Sequence, residues 1–286
     1  MKLLDRLFGG RLVPSWEVTP GATLWKLEVT REGRLVGEAR DLEAKRMSLF
    51  GVDLEEGTLL FNRVELDESW WVALDAVVGE IAIAHHYPKP DMPSMLGATA
   101  IDASDGTVLW HDETLRVVCG TSEILLAERG GPTVENDFVF IDARTGAVIE
   151  TADDERAGVF AGACDDSSRW SGWASAEPMD ESSDGARAML ALLDRTLEER
   201  RGTPEIATHG RFTVISTYAR SRRSADAMLQ GQLDNVLLVI DEGRIAFRET
   251  IASGLLAATT DSFFLRNGIL YFIRNGRTLV AVRLED

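Results

Sequence analysis

The chain has 286 residues, of which 45% are hydrophobic, and can bury a substantial core as one large β domain or as two smaller domains. Its formal net charge of −17, with only four lysines, disfavours nucleic acid and anionic membrane surfaces as partners. No apolar run reaches the roughly 18 residues of a membrane span, so no membrane insertion is expected.

The charged residues and the cysteines predict a cytoplasmic protein. Scarce lysine beside 47 acidic residues is typical of a salt-rich cytoplasm, where screening reduces self-repulsion, and gives the hypothesis of an acidic, halophilic protein. Cys119 and Cys164 cannot form a disulfide framework and are expected to be reduced thiols. Asp5 and Arg6 interrupt the first apolar run, which makes it a poor signal peptide.

A short motif recurs along the chain, with an Asp at a strand end, a turn, a Gly and then a large residue. Its internal copies are Asp53–Gly57–Phe61, Asp102–Gly106–Trp110, Asp142–Gly146–Glu150 and Asp241–Gly243–Phe247. Asp can accept hydrogen bonds from turn amides, and Gly tolerates the positive φ of a bulged hairpin turn. The motif therefore predicts a structural turn, followed by a side chain that covers the neighbouring repeat.

Each motif is preceded by a run typical of a β-strand, rich in Val, Ile, Phe and Tyr. The strand candidates are Arg34–Arg40, Glu80–Tyr87, Glu123–Glu128, Arg169–Ala174, Arg211–Ala219 and Ile269–Arg274. The repeat recurs roughly every 46 residues, a period that indicates propeller blades rather than a helical solenoid.

The segment Ala186–Arg201 has two interpretations. Its residues favour an inserted helix, yet its hydrophobic run ends in Asp194, where the period requires a strand and an Asp. We favour a strand pair, because without it 99 residues would separate Asp142 from Asp241. The strand pair gives six blades, and the helix gives five.

The two chain ends carry complementary parts of the repeat. Gly21 and Trp25 supply its second half without a preceding strand, and the segment Thr278–Asp286 supplies its first half. We therefore predict an all-β fold, a six-bladed β-propeller spanning residues 21–286 after an N-terminal arm at residues 1–20. In this prediction Ala22–Leu27 pairs with the C-terminal strand and completes the C-terminal blade.

The segment Ala98–Trp110, ATAIDASDGTVLW, resembles the quinoprotein-type (PQQ-like) β-propeller repeat, and Val139–Glu150 keeps its Thr-Gly without the aromatic residue. As a whole, with Glu68–Trp71 contributing, the chain is similar to an uncharacterised family of bacterial propeller-like proteins known only as a domain of unknown function. The resemblance implies a fold and supplies no mechanism. It does not imply a quinone, and no cofactor is expected.

Variable insertions are expected between the second and third strands of the repeats, at Pro88–Leu96, Arg129–Asn136, Glu177–Gly185 and Ser221–Asn235. In an up-and-down blade these connections emerge on the same side of the disc as the links between blades. Functional residues are usually carried by loops on a rigid scaffold, so the functional face is expected there.

Candidate ligand-binding residues form three groups: His85, His86 and Tyr87 at a strand end, Trp70 and Trp71, and the basic cluster Arg220, Arg222 and Arg223. Each group has a structural alternative, namely strand-end packing, core and inter-blade filling, or neutralisation of nearby acids. Adjacent histidines on a strand point to opposite faces, so no metal site is predicted. Cys119 and Cys164 are placed on inner strands of adjacent repeats, where they could approach each other.

No nucleophile elbow, phosphate-binding loop or zinc-protease motif is present in the sequence. The sequence therefore predicts a binding or scaffold module that holds a protein partner or a small ligand at its loop-bearing face and channel mouth. The alternative is an enzyme, a hydrolase or lyase with its site in the central channel. A third class is a structural domain that self-associates through an exposed apolar patch.

Overall fold

The computed structural model describes residues 12–87, 95–131, 134–164, 173–221, 232–258 and 262–285. The chain divides into two compact units. The middle unit is Pro20–Ser171, and the terminal unit is the sequence on either side of it. The described residues form five antiparallel sheets and two helices, so the predicted all-β class is confirmed. The single domain over residues 21–286 stays a prediction.

The middle unit contains three four-stranded sheets in which strands adjacent in sequence pair with each other. Sheet I consists of β2 (Thr23–Val29), β3 (Arg34–Asp41), β4 (Arg46–Asp53) and β5 (Leu59–Val64). Sheet II consists of β6 (Val72–Val78), β7 (Ile81–His86), β8 (Ala98–Asp102) and β9 (Val108–Asp112). Sheet III consists of β10 (Leu115–Gly120), β11 (Ile124–Gly131), β12 (Val134–Asp142) and β13 (Val148–Ala152).

The repeated Asp makes the predicted turn between the last two strands of each of these sheets. Asp53 Oδ1 accepts hydrogen bonds from the backbone N–H groups of Glu55 and Glu56, at 2.9 and 3.0 Å. Gly57 has φ +72° and donates its N–H to the Asp53 carbonyl, at 2.8 Å. Asp102 and Asp142 accept turn amides in the same way. The structural interpretation of the motif is confirmed.

The aromatic residue of the motif covers the turn of the following sheet. A methyl group added at Gly106 would lie 2.7 Å from the Phe61 ring, and one added at Gly146 would lie 2.9 Å from the Trp110 ring. Trp110 also donates its indole N–H to the Ala143 carbonyl, at 2.9 Å. Glycine is therefore required at these turns both for positive φ and for the close approach of a ring.

The third copy of the motif has Glu150 in place of the aromatic residue, and its carboxylate pairs with Arg156 at 2.5 Å. Arg156 belongs to α1 (Asp154–Ala163), a helix whose N-terminus is capped by the Asp153 side chain. Cys164 caps its C-terminus, so the prediction that Cys164 lies on a strand is wrong. The physical reason is the Asp153 cap followed by acidic residues in the first turn, which starts a helix.

Sheet IV, in the terminal unit, consists of β15 (Glu177–Pro178), β16 (Arg200–His209), β17 (Phe212–Arg220), β18 (Leu233–Asp241) and β19 (Arg244–Leu255). The helix α2 (Asp184–Thr196) lies between β15 and β16 in sequence, so the strand pair favoured for Ala186–Arg201 is wrong. Ser183 caps the helix, and its buried Leu193 packs in one cluster with Ile215 and Leu238. Asp194 is helical and does not mark a strand end.

Sheet V has the order β1 (Trp16–Val18), β22 (Thr278–Arg283), β21 (Ile269–Arg274), β20 (Phe263–Arg266) and β14 (Trp173–Ser175). The N-terminal strand that pairs with the C-terminal strand is thus β1, with Trp16 opposite Ala281. The prediction that Ala22–Leu27 fills this place is wrong. That segment lies in β2, where Leu24 and Val29 are buried in sheet I and Thr23 pairs with Arg40 of β3.

The predicted strands correspond to β3, β7, β11, β17 and β21, while residues 169–172 of the remaining candidate lie outside the described residues. The insertion placed at Pro88–Leu96 falls between β7 and β8, and the one placed at Ser221–Asn235 falls between β17 and β18, but residues 88–94 and 222–231 lie outside the described residues. The insertion placed at Arg129–Asn136 is wrong, because β11 extends to Gly131 and β12 begins at Val134. The insertion placed at Glu177–Gly185 is wrong, because this stretch contains β15 and the start of α2. Neither described helix has the length and apolar character needed to cross a bilayer.

Candidate functional site

A cavity of about 250 Å³ lies at one end of sheet II in the middle unit. It is lined by Glu65, Leu66, Asp67, His86, Thr99, Val108 and His111. His86 ends β7, Thr99 lies near the start of β8, and residues 65–67 connect sheet I to sheet II. The end of β7 and the link between the two sheets therefore meet at this end of sheet II, where Val72 pairs with His86.

The centre of the cavity is a hydrogen-bonded chain of two imidazoles and one hydroxyl. The Thr99 Oγ1 lies 2.9 Å from His86 Nε2 and 2.9 Å from His111 Nδ1. The two imidazole rings are 5.0 Å apart between centroids, and Thr99 is 3% exposed. A hydroxyl has one proton, so Thr99 donates to one imidazole and accepts from the other. The tautomers of the two histidines are therefore coupled.

The cavity combines the imidazoles and the hydroxyl of this chain with two acidic side chains, Glu65 and Asp67. Burial lowers the pKa of His86, and the neighbouring His111 lowers it further, so His86 is neutral near neutral pH. Glu65 and Asp67 line the cavity as carboxylates, and Arg46 is the ion-pair partner of Glu65 at a distance of 3.9 Å. Such a surface favours a ligand that is positively charged and donates hydrogen bonds.

The Glu68–Trp71 segment holds the link beside the cavity. The Glu68 carboxylate accepts the backbone N–H groups of Trp70 and Trp71, at 2.7 and 2.9 Å, and these bonds lower the Glu68 pKa. The Trp71 carbonyl in turn accepts the N–H of Tyr87, at 2.7 Å, which fastens the link to the end of β7. Glu68 therefore helps to fix the position of the link between sheets I and II.

The prediction that Trp70 and Trp71 lie on a strand with one of them in the core is wrong, and the inter-blade role of the other stays a prediction. Both residues lie in the bend made by Glu68, outside any strand, and neither is buried. Trp71 is 40% exposed, and the Trp70 ring lies 5.0 Å from the Arg40 guanidinium. Neither tryptophan lines the cavity, so their role in ligand stacking stays a prediction.

His85 faces away from the cavity, as its position next to His86 on a strand predicts. It is 1% exposed, and its Nδ1 lies 3.0 Å from the Asp75 carboxylate. Its Nε2 accepts the backbone N–H of Val117, at 2.9 Å. Because Val117 is in β10, His85 ties sheet II to sheet III and is a structural residue.

The other candidates are not brought to this site. Tyr87 is half-buried and does not line the cavity. Arg220 is in the terminal unit and pairs with Glu199 at 3.2 Å, which supports the alternative that it neutralises nearby acids. Arg222 and Arg223 lie outside the described residues.

The prediction missed Thr99 as a site residue and did not group His111 with His86. A signal was available in the repeat, because the turn from Asp102 to Gly106 sets the register of β8 and β9. In that register Thr99 lies directly opposite His111. Among the residues that the structure describes, no three His, Cys, Asp or Glu side chains converge as metal ligands.

A family model described as a domain of unknown function (DUF4905) matches residues 29–110. This stretch is less than half of the chain, contains His86 and Thr99, and ends one residue before His111. It supports the resemblance to a family of unknown function over these residues. No curated protein matches the chain.

Solved structures with similar folds have little sequence in common with the chain. BamB from Moraxella catarrhalis is 11% identical, with 90% of this chain and 84% of that chain covered and a TM-score of 0.32. The β-propeller domain of the Trilobed protease from Pyrococcus furiosus is 10% identical, with coverages of 89% and 64% and a TM-score of 0.31. A europium-containing methanol dehydrogenase is 14% identical, with coverages of 97% and 53% and a TM-score of 0.27. Similarity at this level says nothing of a shared activity.

Proposed function

We propose that the chain is a β-propeller binding module in which sheets I–V act as five blades and β1 completes the C-terminal blade. Three features support this arrangement: the antiparallel order of each sheet, the aromatic residue of one sheet covering the turn of the next, and the pairing of β1 with β22. A helix in place of the fourth strand pair favours five blades over the six that the sequence period predicts.

We further propose that the module holds a small organic ammonium ion in the cavity formed by His86, Thr99 and His111. The observation that carries this proposal is the hydrogen-bonded chain His86–Thr99–His111 beside two carboxylates. The imidazole that donates to Thr99 keeps, in its neutral form, its other ring nitrogen as an acceptor for an ammonium N–H, and Glu65 and Asp67 complement the charge of the ammonium group. Leu66 and Val108 provide apolar contact for a short alkyl group.

The test compares three probes of similar size and different charge, namely n-propylamine, n-propanol and propionate. Binding is followed through the imidazole NMR signals of His86 and His111 at neutral pH and at high salt. We expect the amine to shift both signals and to bind at least about 10-fold more tightly than the alcohol, since a charge-assisted hydrogen bond contributes about 1.5–3 kcal/mol. Equal binding of amine and alcohol, or no shift with any probe, would contradict the proposal.

Two variants separate the hydroxyl from the charge. Thr99→Val removes the hydroxyl between the imidazoles at nearly constant volume, and Asp67→Asn removes one charge from the lining. Each is expected to weaken amine binding by about 5-fold to 30-fold, in proportion to the loss of roughly 1–2 kcal/mol. Glu56→Gln is the matched control, because Glu56 is exposed in the turn before β5, at the opposite end of that strand from Glu65. Unchanged binding in both site variants would place the amine elsewhere.

An enzyme remains the second candidate function, and the same cavity favours it. The coupled imidazoles and the lowered pKa of His86 provide a proton acceptor connected to a second histidine. A hydrolase or lyase would then show turnover that is lost in His86→Gln and retained in Glu56→Gln. Binding of the amine without turnover of any ester or amine-bearing substrate supports the binding module.

The cytoplasmic and halophilic character of the protein also stays a proposal, supported by the net charge of −17. Screening by salt relieves repulsion among like surface charges, so the free energy of unfolding is expected to rise between low and molar KCl. A flat or falling dependence would contradict it.

A further inference from the structure

Both cysteines of the chain lie at one cavity of the middle unit, away from the histidine site. This cavity has a volume of about 680 Å³, and its lining includes Gly79, Val118, Cys119, Gly120 and Cys164. Cys119 and Cys164 are both partly exposed. Their side chains are joined by a hydrogen bond. The pair is therefore in contact and also reachable from the cavity.

The two thiols are held by separate elements that are packed firmly together. Cys119 follows a register shift in β10, and Cys164 caps α1 through bonds from its N–H to the Phe160 and Ala161 carbonyls. The Phe160 ring packs edge-on against Phe140 of β12, with 5.0 Å between centroids. These contacts fix the helix end against sheet III and hold both thiols at the same cavity.

We propose that Cys119 and Cys164 form a redox-active dithiol that reacts with low-molecular-weight disulfides entering this cavity and closes reversibly to an intramolecular disulfide. The geometry carries the proposal, since two contacting thiols share one accessible cavity. A structural role for two separate buried thiols would require neither the contact nor the opening.

The order of the two steps follows from the raised pKa of Cys164. Burial and the hydrogen bond to Cys119 raise it to about 12, which makes Cys164 the poorer nucleophile near neutral pH. Cys119 is therefore the sulfur that attacks first, and Cys164 is the resolving residue.

In the first step the Cys119 thiolate, having lost its proton to solvent, forms a bond to one sulfur of the small disulfide. The S–S bond of the small disulfide breaks, and one small thiolate leaves and takes up a proton. Cys164 then loses its proton and attacks the Cys119 sulfur, and the second small thiolate leaves with a proton. Two protein thiols are oxidised, and one small disulfide is reduced to two small thiols.

The experiment treats the folded full-length protein with oxidised glutathione and follows intact mass and peptide maps. We expect a product that has lost two hydrogens, contains a Cys119–Cys164 linkage, forms at a rate independent of protein concentration and is reversed by dithiothreitol. Cys164→Ser should stop at a mixed disulfide on Cys119, and Cys119→Ser should react at least about 10-fold more slowly because the first nucleophile is missing. Ser122→Ala, which changes the same cavity and keeps both thiols, is the matched control.

Three results would overturn the proposal: two stable glutathione adducts on the wild-type chain, a disulfide only between chains, or thiols that react only after denaturation. The cysteine cavity and the histidine cavity share no lining residue. Failure of the dithiol and failure of the ammonium site are therefore separate outcomes.

Discussion

The two units of the chain use aromatic side chains differently. In the middle unit Phe61 lies between Gly51 of its own sheet and Gly106 of the next, so a ring packs on backbone from both sides. In the terminal unit the corresponding Phe247 packs against another ring, Phe272 of β21, at 6.1 Å between centroids. A ring on glycine fixes one close geometry, whereas two rings can pack in several orientations.

In sheet V this ring-to-ring packing involves four of the five strands. Trp16, Tyr271, Phe264 and Trp173 form a row of rings on β1, β21, β20 and β14, with neighbouring centroids 4.9 to 5.8 Å apart. The short β1 is fastened at this row and by Arg274, whose guanidinium donates to the Glu17 carboxylate at 2.7 and 3.0 Å. Ring-to-ring contacts thus replace the repeated glycine contacts in this sheet.

Truncation of the two matched phenylalanines should have the largest effect and should separate the units. Phe61→Ala is expected to lower the free energy of unfolding by about 4 kcal/mol, because glycines on both sides supply no side chain to fill the cavity. Phe247→Ala should lower it by about 3 kcal/mol, since the Phe272 ring can move into the space. Denaturant unfolding of both variants measures the difference, and an equal or reversed order would contradict the comparison.

Glycine substitution tests the same contact from the other side. Gly106→Ala combines a positive φ of +78° with a clash against Phe61, and is expected to destabilise by roughly 2–4 kcal/mol. Gly243→Ala is the matched control, because its φ is +81° and no atom lies within 4 Å of the added methyl. It should lose only about 1 kcal/mol. Equal losses would show that backbone conformation alone requires glycine at Gly106.

The same difference explains which parts of the fold could be predicted. In the middle unit the turn requires Asp and Gly, and the close approach of the aromatic ring also requires Gly. The motif is therefore recognisable in the sequence, and β3, β7 and β11 were predicted from it. In the terminal unit β17 and β21 were also predicted from their hydrophobic runs, but the ring-to-ring contacts of sheet V leave no fixed spacing, and β1 lacks a motif. The closing strand was therefore assigned to Ala22–Leu27, which carries the spacing and belongs to sheet I.

The helices and the site were predicted less well, for local reasons. In α2 the side chains of Leu193 and its neighbours satisfy both a helical and a strand period, and the Ser183 cap decides the outcome. For the cavity, the predicted strand end contained His86, but the partners came from pairing across β8 and β9. Register links residues such as Thr99 and His111 that no local motif connects.

The smallest expected effect is the response to acid. The two units should first lose protection from hydrogen exchange at different pH values. In the middle unit burial lowers the pKa of His86 below its ordinary 6.5, so below that pH the unfolded state binds a proton that the folded state does not. Stability in this unit therefore falls as the pH drops from 6.5 toward the lowered pKa. In the terminal unit the hydrogen bond from Arg274 lowers the pKa of Glu17 below 4.5, so the matching loss begins only near that pH.

Hydrogen exchange by mass spectrometry, corrected for the intrinsic pH dependence of exchange, measures the two onsets in one experiment. We expect β7 and β8 to begin to lose protection as the pH falls below about 6.5, while β1 and β22 begin to lose it only below about pH 4.5. His86→Gln should move the onset of β7 and β8 into the carboxylate range, where Glu68 and Asp75, whose pKa values are lowered by hydrogen bonds, then determine it. If β7 and β8 lost protection at the same pH in wild type and in His86→Gln, protonation of His86 would not be the cause of the acid response.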